Sequence, residues 1–217
     1  MQPPPEFTAV MGGPSIVVGM GAVVLVEGDS DKAALETLAG RVGRDLASEG
    51  VSILSMGGAS SIGNLLLDTL ATVSPGMTLS GLCDEAEADQ FRRALEAAGL
   101  GSDLSRSDME ALGFFVCSRD LEDELIRSLG PAAIERVLTE QGELRKFRKF
   151  QNQPQWRDRA LDDQFHRFSG IKSGRKIRYG RVLVEALDLS QVPRPLEGVL
   201  AFIEPPEGHP VSDGAAP

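Results

Sequence analysis

Acidic residues follow three apolar segments of this chain, at the point where each segment ends. Residues 23–26 (Val-Val-Leu-Val) run directly into Glu27, and the apolar segments 78–83 and 113–117 are also followed by acids. Carboxylate oxygens are the ligands that hard divalent cations such as Mg²⁺ and Mn²⁺ prefer. If the three segments are parallel strands of one sheet, their carboxyl ends meet at one edge. The acids that would meet there are Glu27, Asp31, Asp84, Glu85, Glu87, Asp120 and Glu122.

A simpler interpretation exists for part of this pattern. Asp29 and Asp31 open a predicted helix, where acids favour the positive end of the helix dipole without any ligand. Glu27 is different, because a carboxylate that directly follows a buried strand needs a partner or a metal ion to offset its desolvation. Carboxylates crowded at one edge repel each other by on the order of several kcal/mol, and a divalent cation removes that repulsion.

The elements that must position these acids alternate between strand and helix. The β-branched run at 22–26 is typical of a strand buried on both faces, and Gly28 permits a turn into the next helix. The alternation predicts an α/β fold, with a mainly parallel sheet of about four strands flanked by helices and followed by a helical annex. We expect strands at about 22–26, 51–56, 78–83 and 113–117, and helices at about 31–48, 60–73, 91–98, 131–141, 157–168, 174–188 and 196–203, with a further helix from about 121.

The chain divides into four predicted parts. Residues 1–20 are expected to be a flexible lead-in, and residues 21–130 the α/β core. Residues 131–204 are expected to be a basic helical annex, and 205–217 have the composition of a disordered tail. The small-residue turn at 57–61 fits both a phosphate cradle at a helix start and an ordinary connection between strand and helix.

Charge is distributed very unevenly along the chain, whose net charge is −10. Residues 144–181 carry 12 Lys or Arg against three acids, a local net charge of +9, so the remainder carries −19. This split indicates that one part gathers cations around carboxylates while another part meets a polyanion. The alternative for the basic segment is a solvated helical face.

Several features predict a cytoplasmic protein. Cys83 and Cys117 lie in apolar segments and are expected to be reduced core residues. The first residues contain prolines and a glutamate where a signal peptide needs a basic start, and no apolar stretch approaches the roughly 20 residues of a membrane span. His166 is expected at a surface or packing position and is given no functional role.

At this point the motifs resemble those of a known family. Val26-Glu27-Gly28 with Asp31 four places after the glutamate resembles the first motif of the Toprim domain, which topoisomerases, primases and several nucleases share. The chain is more particularly similar to the Toprim nuclease domain of the OLD (overcoming lysogenization defect) family, over about residues 21–190. That resemblance depends on residues 25–35, on Asp84, on the segment 120–125 (Asp-Leu-Glu-Asp-Glu-Leu) and on the segment 173–178 (Ser-Gly-Arg-Lys-Ile-Arg).

The resemblance implies a Rossmann-like Toprim fold and a DNA endonuclease or nickase that works with two Mg²⁺ or Mn²⁺ ions. Glu27 and Asp84 would serve one ion, with Glu87 as the helper. Asp31, Asp120 and Glu122 would hold the second ion, and Lys176 would stabilise the charge that develops on the phosphate. The bases expected to contact nucleic acid are Arg145, Lys146, Arg148, Lys149, Lys172, Arg175 and Arg178.

Two departures from the family pattern leave alternatives open. The usual second motif is Asp-x-Asp, whereas Ala86 stands two places after Asp84, so Glu85 or Glu87 would replace the second aspartate. The sequence has no Walker-type loop, so the domain acts alone or a separate ABC-type ATPase chain supplies the motor. The alternatives are a non-catalytic Toprim scaffold that binds nucleic acid or a partner ATPase, and a nucleotidyl transferase.

Overall fold

A four-stranded parallel sheet forms the centre of the structure, a computed structural model that describes residues 21–57, 62–72, 77–171 and 174–204. The strands are β1 (Ala22–Val26), β2 (Ser52–Ser55), β3 (Thr78–Cys83) and β4 (Phe114–Val116), in the order β2-β1-β3-β4. β1 is central and all five of its residues are buried, as expected for a strand covered on both faces. The predicted α/β fold is therefore confirmed.

Helices cover both faces of this sheet. Along β1, Val24 and Val26 point into one apolar cluster, whereas Val23 and Leu25 point into the other, because successive side chains of a strand alternate. In the part of the chain that the structure describes, the helices are α1 (Asp29–Arg41), α2 (Ile62–Thr72), α3 (Ala88–Ala97), α4 (Arg106–Ala111), α5 (Leu121–Glu140), α6 (Leu144–Gln151), α7 (Leu161–Gly170), α8 (Arg175–Ala186) and α9 (Arg194–Phe202), with a 3₁₀ turn at Leu189–Gln191.

Three helix bounds differ from the sequence prediction. α1 ends at Arg41 rather than near 48, because Arg44 turns away to bond Glu49 and the carbonyl of Leu200. α4 lies in a polar stretch for which no helix was predicted. α5 continues through the predicted start of the annex, with a break at Gly130, whose φ of +69° is readily adopted only by glycine. The predicted lead-in and tail, the segment 58–61 and Lys172 lie outside the described residues.

α8 is fixed to the rest of the protein by a buried carboxylate. Glu143, at the start of α6, accepts hydrogen bonds from Arg175 (3.1 Å), Arg178 (2.6 Å) and the Tyr179 hydroxyl (3.0 Å). Burial alone would raise the pKa of Glu143, but these donors lower it below its ordinary value. Arg175 also donates to the carbonyl of Phe168 at 2.8 Å and lies over its ring. α6, α7 and α8 therefore form one unit.

The same helix packs closely on α1. A Cβ placed on Gly180 would lie 2.7 Å from the carbonyl oxygen of Ser30, so only glycine permits this approach. Since Ser30 lies in the first turn of α1, just after β1, the contact brings α8 to the carboxyl edge of the sheet. Within the described ranges, no helix combines the length and apolarity that a membrane crossing requires.

We predict that Gly180→Ala destabilises the protein by about 1 to 3 kcal/mol, because the added methyl group must push α8 away from α1. Chemical denaturation measures the change. Gly40→Ala is the matched control, since Gly40 lies within α1 and a Cβ there has nothing within 4 Å. Alanine is favoured over glycine in helices, so the control should be neutral or stabilising. Equal stability of the two variants would contradict the close contact.

Candidate metal centre

The acids that follow β1 and β3 meet those at the start of α5, at the carboxyl edge of the sheet. Asp120 caps α5 by accepting the Asp123 N–H at 2.9 Å. The edge holds two groups of three residues whose ligand atoms lie within 4.8 Å of one another. One group is Glu27, Asp84 and Glu87, and the other is Asp120, Glu122 and His166.

The first group consists only of carboxylates. Burial and the nearby Glu27 carboxylate raise the pKa of Asp84 well above its ordinary value. Burial and Glu27 also raise the pKa of Glu87. Oε2 of Glu27 is buried and has no hydrogen-bond partner among the described residues. The charge of this group is therefore compensated by bound protons or by a bound cation.

The second group combines two carboxylates with an imidazole. Glu122 is 2% exposed, and neither of its carboxylate oxygens has a hydrogen-bond partner in the described ranges. Burial raises the pKa of Glu122. Nε2 of His166 lies 2.5 Å from Oδ2 of Asp120. Burial alone would raise the pKa of Asp120, but this contact and the Asp123 N–H lower it.

Asp31 lies outside both groups, but the carboxylates of Glu122 and Glu27 are close enough to raise its pKa. Its side chain is almost fully buried and accepts the Gly28 N–H at 2.8 Å, which holds the turn between β1 and α1. Burial and the Glu122 carboxylate raise the pKa of Asp31 to about 7. Asp31 thus adds negative charge beside Glu27 and Glu122.

Lys176, the second residue of α8, brings a positive charge to this edge. Its Nζ lies 3.3 Å from Oε2 of Glu122, an ion-pair contact whose geometry does not make a hydrogen bond. Burial lowers the pKa of Lys176, but Glu122 and Asp31 outweigh that effect and raise it. One lysine balances only part of the negative charge contributed by these acids.

The donor set fits divalent cations. Buried carboxylates without hydrogen-bond partners are rare in proteins, because each must offset the loss of its hydration. Oxygen donors in groups of this size are the ligands of Mg²⁺ and Mn²⁺, and an imidazole also suits first-row transition metals. Glu27 Oε2 and both oxygens of Glu122 are the atoms that such ions would satisfy.

The structure brings most of the expected acids together, with two differences. Of the two candidates for the second motif, Glu87 joins the first group, whereas Glu85 is exposed and accepts the Arg119 N–H. His166, to which the sequence assigned only a surface or packing position, takes the place in the second group that was expected for Asp31. No sequence signal connected His166 to Asp120, because the two are 46 positions apart and in different helices.

The bases that were expected to contact nucleic acid differ in their exposure and in their ion pairs. Arg175 is buried and bonded to Glu143 and Phe168, so we correct its assignment to a structural role. The paired bases are Lys146 and Arg178, which contact Glu143, and Arg148, which bonds Glu135. Two exposed bases of α6, Arg145 and Lys149, make no ion pair with any described residue.

Comparison with known proteins gives two findings. Residues 21–67 match the family described as overcoming lysogenization defect protein-like, TOPRIM domain. The match includes β1, α1, β2 and the start of α2, and thus Glu27 and Asp31. No curated protein sequence matches the chain.

Solved structures extend the likeness to most of the chain. One structure of the C-terminal region of the Xanthomonas campestris pv. campestris OLD protein is 21% identical, with a TM-score of 0.61, over 84% of this chain and 91% of that one. The C-terminal region of the Burkholderia pseudomallei OLD protein is 18% identical, with a TM-score of 0.61, over 84% of this chain and 96% of that one. At these identities the likeness shows the fold. Residues 21–67 therefore match the OLD-like Toprim domain, and most of the chain has the fold of the C-terminal regions of OLD proteins.

Proposed function

We propose that this protein is a metal-dependent DNA nuclease of the OLD-like Toprim type, which hydrolyses phosphodiester bonds. The observation that carries the proposal is the meeting of two ligand groups and one lysine at the carboxyl edge of the sheet. In open α/β sheets, this edge is where ligands bind. Helix caps and solvated helix ends do not account for a buried carboxylate such as that of Glu122, which has no hydrogen-bond partner among the residues that the structure describes.

In this proposal the two groups hold two divalent ions, Mg²⁺ or Mn²⁺. Glu27, Asp84 and Glu87 would hold one, and Asp120, Glu122 and His166 the other. When bound, such ions polarise the phosphate and bring the pKa of a water molecule towards neutrality. The water would give up one proton as its oxygen bonds to phosphorus, one ester P–O bond would break, and the leaving oxygen would take up a proton, so that one water is consumed for each bond cut. No ATP is consumed in this reaction, so the isolated chain should cut.

The residues of the chain supply position and charge for this reaction. Asp31 holds the turn after β1 through the Gly28 N–H and so fixes the direction of Glu27. The Lys176 ammonium would lie against the scissile phosphate, where negative charge increases in the transition state. A fixed charge in a partly desolvated site stabilises a transition state more than the same charge in water does.

The surface charge favours a nucleic acid as the substrate, and the OLD-like Toprim resemblance favours DNA. Arg145 and Lys149 are exposed on α6, which packs on α7 and α5 through Phe147. Exposed bases without acidic partners attract the phosphate backbone whatever the base sequence, and this attraction weakens with salt. We propose that these residues, with Lys146, Arg148 and Arg178, bind the phosphate backbone along the annex and so position the duplex at the metal centre.

We predict that Lys176→Ala binds DNA but cuts it about 10²-fold to 10³-fold more slowly, because it loses the charge opposite the transition state. The measurement is single-turnover nicking of supercoiled plasmid with Mg²⁺ or Mn²⁺, at saturating protein, beside the binding affinity. Lys149→Ala is the control and should lose affinity but retain the rate. Equal loss of rate in the two variants would make Lys176 an ordinary surface base, and absence of nicking with either ion would refute the nuclease.

A second prediction concerns metal-free stability. Because an unfolded Asp31 has the ordinary pKa of 3.8, protonation of the folded carboxyl stabilises the protein at low pH, and this stabilisation is lost as pH rises through about 7. Asp31→Asn imitates the neutral form. With a chelator present, we expect its stability relative to the unsubstituted protein to rise by about 3 kcal/mol between pH 5 and pH 8.

Urea denaturation at the two pH values measures this difference. Asp29→Asn is the control, since Asp29 lies in the same turn but is exposed, and we expect it to leave the pH profile unchanged. A parallel pH profile for Asp31→Asn and the unsubstituted protein would contradict the proposed burial of negative charge at this edge.

A further inference from the structure

We propose that His166 is a nitrogen ligand of the second metal ion, and that this position therefore selects a first-row transition-metal ion over Mg²⁺. The inference deepens the proposed function and rests on its metal centre. The two groups of ligands differ in one respect: the first offers only oxygen atoms, whereas the second offers an imidazole nitrogen beside two carboxylates.

The geometry of the second group supports a ligand role. Nε2 of His166 lies 2.5 Å from Oδ2 of Asp120, and one ligand atom from each of Asp120, Glu122 and His166 lies within 4.8 Å of the other two. Glu122 is the independent observation, because its buried carboxylate lacks a hydrogen-bond partner within the described part of the chain. A cation between the three side chains would bond Glu122 and replace the proton that Asp120 and His166 share. Nζ of Lys176 lies 3.3 Å from Oε2 of Glu122, so its single charge offsets only part of the charge in this group.

α7 holds the imidazole in place. Phe165 and Phe168 are buried against Phe147, so this face of α7 is anchored in the core and His166 lies on its flank, towards the start of α5. Asp163, one turn earlier, bonds Arg119 at 2.9 Å and ties α7 to the loop before α5. The aromatic packing and the contact between Asp163 and Arg119 both hold α7 in place, so the position of His166 beside Asp120 is fixed.

The chemistry of the donors determines the selectivity. Mg²⁺ is a hard ion that takes oxygen ligands and keeps several waters, so an imidazole contributes little to its binding. First-row transition metals accept imidazole readily, and Mn²⁺ binds most weakly among them. A preference for Mn²⁺ over Mg²⁺ is therefore a demanding test, and Mn²⁺ also has an electron spin that reports directly on its ligands.

A competing role must be separated from this one. Nδ1 of His166 lies 3.5 Å from Nη2 of Arg119, an arrangement in which Nε2 carries the proton and donates to Asp120. In that role His166 would only orient Asp120, and its loss would weaken the binding of every divalent ion alike. In the ligand role Nε2 loses its proton to bind the ion, and the loss of His166 affects Mn²⁺ selectively.

The test uses the whole chain without a polyhistidine tag or DNA, loaded with Mn²⁺ alone. Pulsed electron paramagnetic resonance should detect the coupling of a coordinated imidazole nitrogen. His209 is the chain's other histidine, so His209→Gln is the matched control. The nitrogen coupling should persist in His209→Gln and disappear in His166→Gln. Calorimetry should show Mn²⁺ affinity falling by at least about 10-fold in His166→Gln, with a far smaller change for Mg²⁺.

Three results would overturn the inference: no nitrogen coupling in the Mn²⁺-loaded unsubstituted protein, coupling that survives in His166→Gln, or equal loss of Mg²⁺ and Mn²⁺ affinity in that variant. The first of these needs no substitution, so it stands even if a variant fails to fold. A protein that shows the coupling but cuts no DNA would refute the nuclease function and leave the nitrogen ligand established.

Discussion

Mutual repulsion among buried carboxylates is the constraint on which this structure depends. Glu27 and Asp84 directly follow buried strands, and Glu122 is buried in the first turn of α5, so all three lose hydration at one edge of the parallel sheet. Hydrogen bonds do not compensate Glu27 Oε2 or the two oxygens of Glu122 in the part of the chain that the structure describes. Lys176 is the one cation paired with Glu122 in the described part of the chain. Buried charge that is only partly paired is unfavourable, so protons or cations bound at this edge stabilise the site.

Lys176 of the helical annex supplies compensating positive charge. The buried carboxylate of Glu143 helps to hold the helix that carries Lys176 in place. Glu143 accepts hydrogen bonds from Arg175, Arg178 and Tyr179, and these bonds fix the orientation of the first turns of α8. The Gly180 contact with Ser30 then sets the depth of α8 beside α1. Lys176 is therefore directed at the acids by packing and hydrogen bonds that it does not itself make. The adjacent bases therefore differ: Arg175 bonds Glu143 and holds α8, whereas Lys176 faces the acids at the edge of the sheet.

Local patterns in the sequence predicted the strands and the acids at their ends, because burial and alternation act over a few residues. The helix α4 was also locally encoded: Ser105 and Asp108 form a reciprocal cap, and this signal was overlooked. His166 and Arg175 are different. Their partners, Asp120 and Glu143, are 46 and 32 positions away, and only the packing of α5, α6, α7 and α8 brings them together. Long-range contacts of this kind leave no periodic trace in a single sequence.

Anomalous scattering from crystals grown with Mn²⁺ would show whether this edge of the sheet holds two divalent ions. We expect two anomalous peaks at the carboxyl edge, one among Glu27, Asp84 and Glu87 and one among Asp120, Glu122 and His166. Crystals that contain ordered Mn²⁺ elsewhere, with no peak at either group, would contradict this expectation.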